Sequence, residues 1–300
     1  MGNPERPLKF GLAGTGYWAR TTHAPALAAA EGIDFTAVWG RNHTAAASLA
    51  AQHRATAYTD IGAFLAGVDA VAFSVPPDVQ AELAVRAAGA GKHLLLEKPI
   101  ALSEAAAGEL ARAVDDAQVA SVVFFTARFD PGVRAWLAGV AGQAGWTGGN
   151  AVWLGSALRG SSPFNTPWRQ DKGGLWDVGP HAVSLLWACL GPVVSVTADA
   201  GPADVTYLVL HHRGGACSAV TLTLSAAEAA EGLDLYVWGE AGRSALPELA
   251  TGPREALRIA LAELLGNARS GQVAHPCDAA FGYQVVRVLD AAQRQLDALS

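Results

Sequence analysis

The chain has 300 residues, of which 51% are hydrophobic and 16% charged, and its formal net charge is −6. This length suits two domains of ordinary size, and the apolar content can fill their cores without disulfides or metals. The 21 basic residues form no block, which argues against a nucleic-acid partner because binding to backbone phosphates needs clustered Lys and Arg.

Strand and helix signals alternate over the first 120 residues. The predicted strands cover residues 8–13, 35–39, 70–75, 93–97 and 121–125. The predicted helices cover residues 18–30, 44–53, 61–66, 79–90 and 103–117. This alternation is typical of an α/β domain with a parallel sheet that helices cover on both faces.

The pattern changes in the second half of the chain. Predicted strands at 150–155, 193–200, 206–211, 217–225 and 233–238 stand beside helices at 130–141, within 175–190, at 254–265 and at 278–299. Strands that follow one another without helices between them favour an antiparallel sheet. We therefore predict a first domain over residues 1–122 and an α+β domain over residues 123–300.

No stretch of the sequence resembles a membrane or export segment. Apolar runs stay shorter than a membrane span, and the first residues lack the apolar core of a signal peptide. Cys189, Cys217 and Cys277 are widely spaced without a metal-binding pattern, so we expect buried thiols, no disulfide and no metal site. These features favour a cytoplasmic protein with no membrane partner.

A glycine-rich turn follows the first predicted strand. The residues Gly14-Thr15-Gly16-Tyr17-Trp18-Ala19 fit the pattern G-x-G-x-x-G/A between a strand and a helix. In that pattern the chain turns tightly at the first glycine and approaches a pyrophosphate at the second, and the helix N-terminus faces the phosphates. We predict a dinucleotide site over residues 14–18; the alternative is a glycine-rich turn in an unrelated α/β protein.

Gly40, Arg41 and Asn42 follow the second predicted strand. A dinucleotide fold commonly places a carboxylate here to hold the ribose hydroxyls, whereas an Arg accommodates a 2′-phosphate. This chain has Arg41 and no carboxylate. The segment predicts NADP as the cofactor, with NAD as the second choice, unless Arg41 is a solvated side chain.

Two further segments end predicted strands of the first domain. Ser74, Val75 and Pro76 are predicted to form a wall beside the nicotinamide, because ligands of open α/β sheets bind at this edge. Glu97 and Lys98 close an almost all-Leu strand at the same edge, where a partly desolvated Lys can move a proton or polarise an oxygen. The alternatives are a plain strand end and a surface ion pair.

Asp177 and His181 form the fourth candidate group. They lie four residues apart across a Gly-Pro step, which places both near the start of one predicted helix. A carboxylate beside an imidazole makes an acid–base pair that can move a hydroxyl proton. The alternative is a helix cap with an unrelated His.

Together these motifs resemble the glucose–fructose oxidoreductase, inositol dehydrogenase and rhizopine-catabolism (Gfo/Idh/MocA) family. The resemblance covers nearly the whole chain in the family's order. The residues that carry it are Gly14-x-Gly16-x-x-Ala19, His23-Ala24-Pro25-Ala26-Leu27, Ala90-Gly91-Lys92-His93, Glu97-Lys98-Pro99, Arg128-Phe129-x-Pro131, Trp168-Arg169 and Gly173-Gly174-x-x-Asp177-x-Gly179-x-His181.

The resemblance implies a Rossmann domain followed by an α+β domain with an open, mainly antiparallel sheet, through which a homo-oligomer (dimer or tetramer) forms. It implies that Lys98 contacts both cofactor and substrate and that Asp177 and His181 are the catalytic pair. Three positions depart from the family's pattern: Pro77 and Gln80 replace Asn and His, and Ser184 replaces an Asp.

We therefore expect an NAD(P)-dependent oxidoreductase that acts on a sugar, a polyol or a related small molecule. In the oxidation direction His181 accepts the hydroxyl proton, Asp177 orients the imidazole and Lys98 stabilises the developing charge. Arg128, Trp168 and Arg169 are candidates for substrate contact. The alternatives are a catalytically silent dinucleotide-binding regulator of the same fold and a reductase of a non-sugar substrate.

Overall fold

A computed structural model describes residues 6–240 and 242–299. The first five residues, in which the sequence lacks a signal-peptide core, lie outside the described part. The chain divides into two compact units, one formed by Met1–Phe129 with Thr251–Tyr283 and the other by Asp130–Ala250 with Gln284–Ser300.

Twelve strands of the described residues form two sheets. They are β1 (Leu8–Ala13), β2 (Ile33–Trp39), β3 (Thr56–Tyr58), β4 (Ala70–Phe73), β5 (His93–Glu97), β6 (Ser121–Phe124), β7 (Trp146–Leu154), β8 (Val193–Ala200), β9 (Thr206–His212), β10 (Cys217–Thr223), β11 (Gly232–Gly239) and β12 (Gly242–Ala245).

Ten α-helices are described with them. They are α1 (Ala24–Ala29), α2 (His43–Gln52), α3 (Ile61–Ala66), α4 (Pro77–Gly89), α5 (Glu104–Ala117), α6 (Pro131–Ala141), α7 (Pro167–Asp177), α8 (Gly179–Leu190), α9 (Pro253–Ser270) and α10 (Ala279–Asp297). A π-helical turn, Ala19–His23, precedes α1, and 3₁₀ turns occupy Thr126–Phe129 and Glu228–Ala230.

The first unit has a parallel sheet of six strands in the order β3-β2-β1-β4-β5-β6. The order reverses at β1 and β4, which is the arrangement of a Rossmann fold. All four residues of β4 are buried, as are Leu94–Leu96 of β5. Side chains buried on both faces explain why these strands are continuous apolar runs.

The second unit has a mixed sheet in the order β12-β11-β7-β10-β9-β8. The pair β10 and β7 is parallel, and the other neighbours are antiparallel. Along β9 buried Leu208 and Leu210 alternate with exposed Tyr207 and Val209. One face of this sheet is therefore covered within the unit, whereas apolar side chains are exposed on the other.

The two units do not divide the chain at a single position. The sequence places one division after residue 122, but the chain leaves the first unit after Phe129 and re-enters it at Thr251. Helix α9 returns because its apolar stripe, which includes fully buried Leu257, Leu261 and Leu264, packs on β5, β6 and α1 of the first unit.

Two other expectations are corrected by the structure. Residues 19–23 of the predicted helix 18–30 form a π-turn, because hydrophobic spacing does not distinguish hydrogen bonds to the fourth residue from those to the fifth. Cys217 is exposed, unlike buried Cys189 and Cys277, because it begins β10 on the uncovered face of the sheet.

Candidate functional site

The glycine turn connects β1 to the π-turn and is built by close backbone contact. Gly14 has a φ of +134°, and a Cβ there would lie 2.2 Å from the carbonyl oxygen of Ser74. Its N–H donates to the carbonyl of Trp39 at 2.9 Å. Only glycine fits between these two strand ends, which explains the first glycine of the motif.

The second glycine borders open space. A Cβ at Gly16 would meet no described atom within 4 Å, and Ala19, three residues on, is fully buried. A diphosphate needs such room beside the backbone, and the helix needs a small residue where it packs on the sheet. The turn therefore fits the dinucleotide that the sequence predicts, with Thr15, Tyr17 and Trp18 in the same segment.

Arg41 lies one residue beyond the glycine that follows β2. A Cβ at Gly40 would lie 2.8 Å from Cγ2 of Thr15, so this strand end touches the glycine turn. Arg41 is exposed. The side-chain oxygen of Asn42 accepts the N–H of Ala45 at 3.0 Å and caps α2, which gives that amide a structural role.

The ends of β4 and β5 complete this edge of the parallel sheet. Ser74 donates its N–H to the carbonyl of Ala13 at 2.8 Å; Val75 follows, and Pro76 precedes α4. Glu97 ends β5, and the peptide between Lys98 and Pro99 is cis. The predicted cofactor residues of the first unit thus lie at the carboxyl ends of four neighbouring strands.

Gln80 connects α4 to the segment around Lys98. Its side chain is fully buried; its oxygen accepts the N–H of Glu97 at 2.8 Å, and its nitrogen donates to the carbonyls of Glu97 at 2.8 Å and Pro99 at 3.2 Å. From the sequence, Gln80 is only a departure from the family's pattern. In the structure it holds the backbone on both sides of Lys98.

In the second unit, Asp177 pairs with Arg169. Asp177 is buried, and its Oδ2 lies 3.0 Å from Nε of Arg169. The guanidinium carbon lies 4.4 Å from the ring centroid of Trp168, within range of a cation–π contact. Three predicted site residues are therefore one cluster, in which Arg169 braces Asp177.

His181 stacks on Trp153 of β7. The ring centroids are 5.2 Å apart with an interplanar angle of 25°, and His181 is buried. The sequence predicts Asp177 and His181 near the start of one helix, but they lie on two. Asp177 ends α7, and His181 lies in the first turn of α8. Gly173 has a φ of +61° and interrupts α7, a conformation that hydrophobic spacing does not reveal.

Asp204 supports this interrupted helix from the loop between β8 and β9. Its carboxylate accepts the N–H of Gly174 at 3.0 Å, the N–H of Leu224 at 2.6 Å and the hydroxyl of Thr223 at 2.6 Å. Burial alone would raise the pKa of Asp204, but these hydrogen bonds outweigh it, and the pKa is lowered. A carboxylate that accepts several N–H bonds is stabilised in its ionised form.

Arg128 belongs to the first unit, where its guanidinium carbon lies 5.7 Å from the ring centroid of Phe281. The sequence assigns no function to Gln80, Trp153, Asp204 or His23. All four act through contacts between distant parts of the sequence, which no local pattern indicates.

The described part of the chain has neither a metal-binding cluster nor a membrane-spanning helix. In residues 6–240 and 242–299 no three His, Cys, Asp or Glu side chains are grouped to hold a metal ion. Within the same residues, no helix has both the length and the apolar content for a membrane span.

Comparison with known proteins matches both units to the same family. A model described as an oxidoreductase family with an NAD-binding Rossmann fold (GFO/IDH/MocA) matches residues 8–125, and the model of the GFO/IDH/MocA C-terminal domain matches residues 148–245. The two matches together span more than half of the chain.

Individual relatives are more distant. An uncharacterized oxidoreductase of Synechocystis sp. is 31% identical over 64% of this chain and 54% of its own length. Inositol 2-dehydrogenase of Rhizobium meliloti is 33% identical over 41% of this chain and 38% of its own length. The chain thus aligns with about half or less of the length of these curated relatives.

Solved structures extend the likeness to the whole fold. Levoglucosan dehydrogenase in complex with NADH and levoglucosan has a TM-score of 0.83 and 21% identity, covering 98% of this chain and 98% of that chain. At this identity the likeness establishes the fold.

Proposed function

The chain belongs to the Gfo/Idh/MocA family of oxidoreductases, and from that premise we propose that it transfers a hydride between a nicotinamide dinucleotide and a sugar, a polyol or a related carbinol or ketone. The observation that carries this proposal is the shared edge of the parallel sheet. The glycine turn, Arg41 and Ser74 follow strands that end there, and Glu97–Lys98 stand at the end of β5.

The substrate class is supported by the relatives. Inositol 2-dehydrogenase and levoglucosan dehydrogenase are named for a polyol and an anhydrosugar, and one solved relative holds levoglucosan beside NADH. We extend that class to this chain. Asp177 and Arg169, paired at 3.0 Å, suit a substrate with several hydroxyl groups because a carboxylate and a guanidinium offer acceptors and donors.

In the oxidation direction, His181 accepts the proton of the reacting hydroxyl, and the stacked ring of Trp153 limits how the imidazole can turn. Asp177, held by Arg169, orients substrate and imidazole. The ammonium of Lys98 stabilises the negative charge that develops on the oxygen. A bound nicotinamide would supply the acceptor for the hydride, and that chemistry would be the cofactor's own.

Two finer features belong to the proposal. Arg41 and the absence of a carboxylate at the end of β2 favour NADP over NAD, although solved relatives hold NAD or NADH. The uncovered face of the second sheet, with Tyr207 and Val209 exposed, supports a homo-oligomer formed through it.

The proposal is tested by single substitutions after a substrate screen. We expect NADPH or NADH to bind, as followed by nicotinamide fluorescence, and a panel of polyols and sugars that includes inositol and levoglucosan to yield a substrate. On that substrate Lys98→Met and His181→Ala should each lower kcat by about 10²–10³-fold.

Lys92→Met is the matched control, because Lys92 donates to the carbonyl of Val68 at 2.9 Å and lies before β5 instead of after it. It should retain activity. Full activity of Lys98→Met or of His181→Ala would show that the substituted residue does not have the catalytic role proposed for it. Tight dinucleotide binding without turnover across the panel would identify a regulator instead.

A further inference from the structure

One carboxylate in the first unit receives two side chains from the segment after the glycine turn. Nε1 of Trp18 donates to Oε1 of Glu97 at 2.7 Å, and Nε2 of His23 lies 2.8 Å from the same oxygen. His23 is fully buried, and the side chain of Glu97 is 14% exposed. A carboxylate only accepts hydrogen bonds, so His23 presents its Nε2 as an N–H.

The π-turn explains how both side chains reach one oxygen. Trp18 and His23 are five residues apart, and on an α-helix side chains meet at spacings of three or four. In a π-turn each hydrogen bond spans five residues, and the turn Ala19–His23 begins directly after Trp18 and ends at His23. The irregular turn therefore aligns Trp18 with His23 on the side that faces Glu97.

Glu97 continues this contact to the backbone of Lys98. Its second oxygen, Oε2, accepts the N–H of Lys98 at 3.3 Å. From the other side, buried Gln80 bonds to the N–H and carbonyl of Glu97 and to the carbonyl of Pro99. The backbone that carries Lys98 is thus held by Gln80 of α4 and by Glu97, whose carboxylate also contacts Trp18 and His23.

We propose that Glu97 is a positioning residue: the Trp18–Glu97–His23 contact fixes the backbone of Lys98 and thereby aims its ammonium. The contact also makes the segment that follows the dinucleotide turn and the lysine one hydrogen-bonded unit. The consequence for turnover rests on the proposed function, whereas the consequence for the environment of Lys98 does not.

The chain offers a direct measurement, because it has only four lysines: Lys9, Lys92, Lys98 and Lys172. Reductive methylation with ¹³C-formaldehyde keeps the charge of each and gives each a methyl signal, and Lys98→Arg assigns the signal of Lys98. The other three signals serve as internal controls in every variant.

Trp18→Phe removes one donor and keeps an aromatic ring, His23→Leu removes the other, and His23→Gln retains an N–H donor at a similar reach. We expect the Lys98 signal to move in Trp18→Phe and His23→Leu, to stay near its original position in His23→Gln, and the other three to remain unchanged. Trp146→Phe, which removes an indole bond to the carbonyl of Val140, should move none of them.

An unmoved Lys98 signal in Trp18→Phe and His23→Leu would overturn the proposal, as would equal movement of all four signals. Trp18→Phe is close in shape to the original and decides the question if His23→Leu does not fold. The positions of the lysine methyl signals are measured without a substrate.

A kinetic comparison connects the contact to the proposed reaction. Misplacement of a reacting group acts mainly in the transition state, so His23→Leu should lower kcat by about 10-fold or more while the dissociation constant for NADPH or NADH changes far less, and His23→Gln should stay close to the original chain. A parallel loss of dinucleotide affinity and kcat would contradict the positioning role. Absence of turnover in the unmodified protein refutes the proposed function and leaves the lysine signals to test the contact.

Discussion

At the end of β2 the chain carries a guanidinium where many dinucleotide-binding folds carry a carboxylate. Arg41 is exposed, and the contact between Gly40 and Thr15 brings this strand end against the glycine turn. An Arg in that place suits a 2′-phosphate, whereas a carboxylate there binds the free hydroxyl of NAD and repels the phosphate. We therefore attribute the proposed preference for NADP to this one side chain.

The substitution Arg41→Asp tests that preference. We expect the dissociation constant for NADPH to rise by about 10–100-fold, since a hydrogen bond to a charged group contributes about 1.5–3 kcal/mol. The dissociation constant for NADH should change by much less. Fluorescence titration measures both, with exposed Arg54→Asp as the control of equal charge change. If the affinities for NADPH and NADH fell equally, Arg41 would not bind the 2′-phosphate.

At the scale of elements, the interruption of α7 is held from outside the helix. Asp204 bonds to the N–H of Gly174 and to Thr223 and Leu224 of the neighbouring strand end. Because α7 ends at Asp177, this carboxylate acts on the segment that presents the aspartate of the proposed catalytic pair.

The pH dependence of stability should report this support. The pKa of Asp204 is lower in the folded chain than its ordinary value, so the unfolded chain binds a proton first as pH falls. The stabilisation is present above the ordinary Asp pKa and disappears as pH falls through the folded value. We expect Asp204→Asn to lower the free energy of unfolding by about 1–3 kcal/mol near neutral pH.

Thermal unfolding between neutral and acid pH measures the effect. The difference between the original chain and Asp204→Asn should shrink toward acid, whereas exposed Asp199→Asn should show little difference at any pH. A difference that stays constant with pH would mean that the ionised carboxylate is not the stabilising form.

Elements with strong local signals were predictable from the sequence. Helix α3 and strands β1, β5 and β8 begin and end at the predicted residues, and Ser103 caps α5 by accepting the N–H of Ala106 at 3.2 Å. The short strands β3 and β12 were missed because three or four residues carry too little pattern.

Much of the candidate site was predictable for a different reason. Motif spacing placed Gly14, Gly16 and Lys98 at strand ends, which is where the structure has them. The support around them depends on tertiary contacts: the bond between Glu97 and His23 spans 74 residues, and that between Asp204 and Gly174 spans 30. A local pattern contains no information about such pairs.

At the scale of the whole molecule, the second sheet bears on assembly. Tyr207 is 47% exposed, Val209 42% and Trp238 47%, so bulky apolar side chains lie in solvent on strands β9 and β11. We propose that this uncovered face of the sheet is an association surface, through which two copies would form a self-complementary interface.

A charge on that face should disrupt assembly. We expect the unmodified chain to have the mass of a dimer or tetramer in light scattering. The substitution Tyr207→Asp, or Val209→Asp as a second variant, should shift that mass toward the monomer. Leu249→Asp places the same charge at another exposed apolar residue and should leave the mass unchanged. A monomeric original chain, measured by light scattering, would contradict the proposed interface.

The return of α9 to the first unit also determines when that unit can be finished during synthesis. Residues 6–129 emerge from the ribosome first, yet α9, which covers part of β5 and β6, lies after residue 250. The apolar surface that receives Leu257, Leu261 and Leu264 therefore waits uncovered while about 120 further residues are translated, at a pace of about 5–20 residues per second. Translation of those residues takes about 6–24 seconds at that pace, and throughout that time the first unit lacks α9.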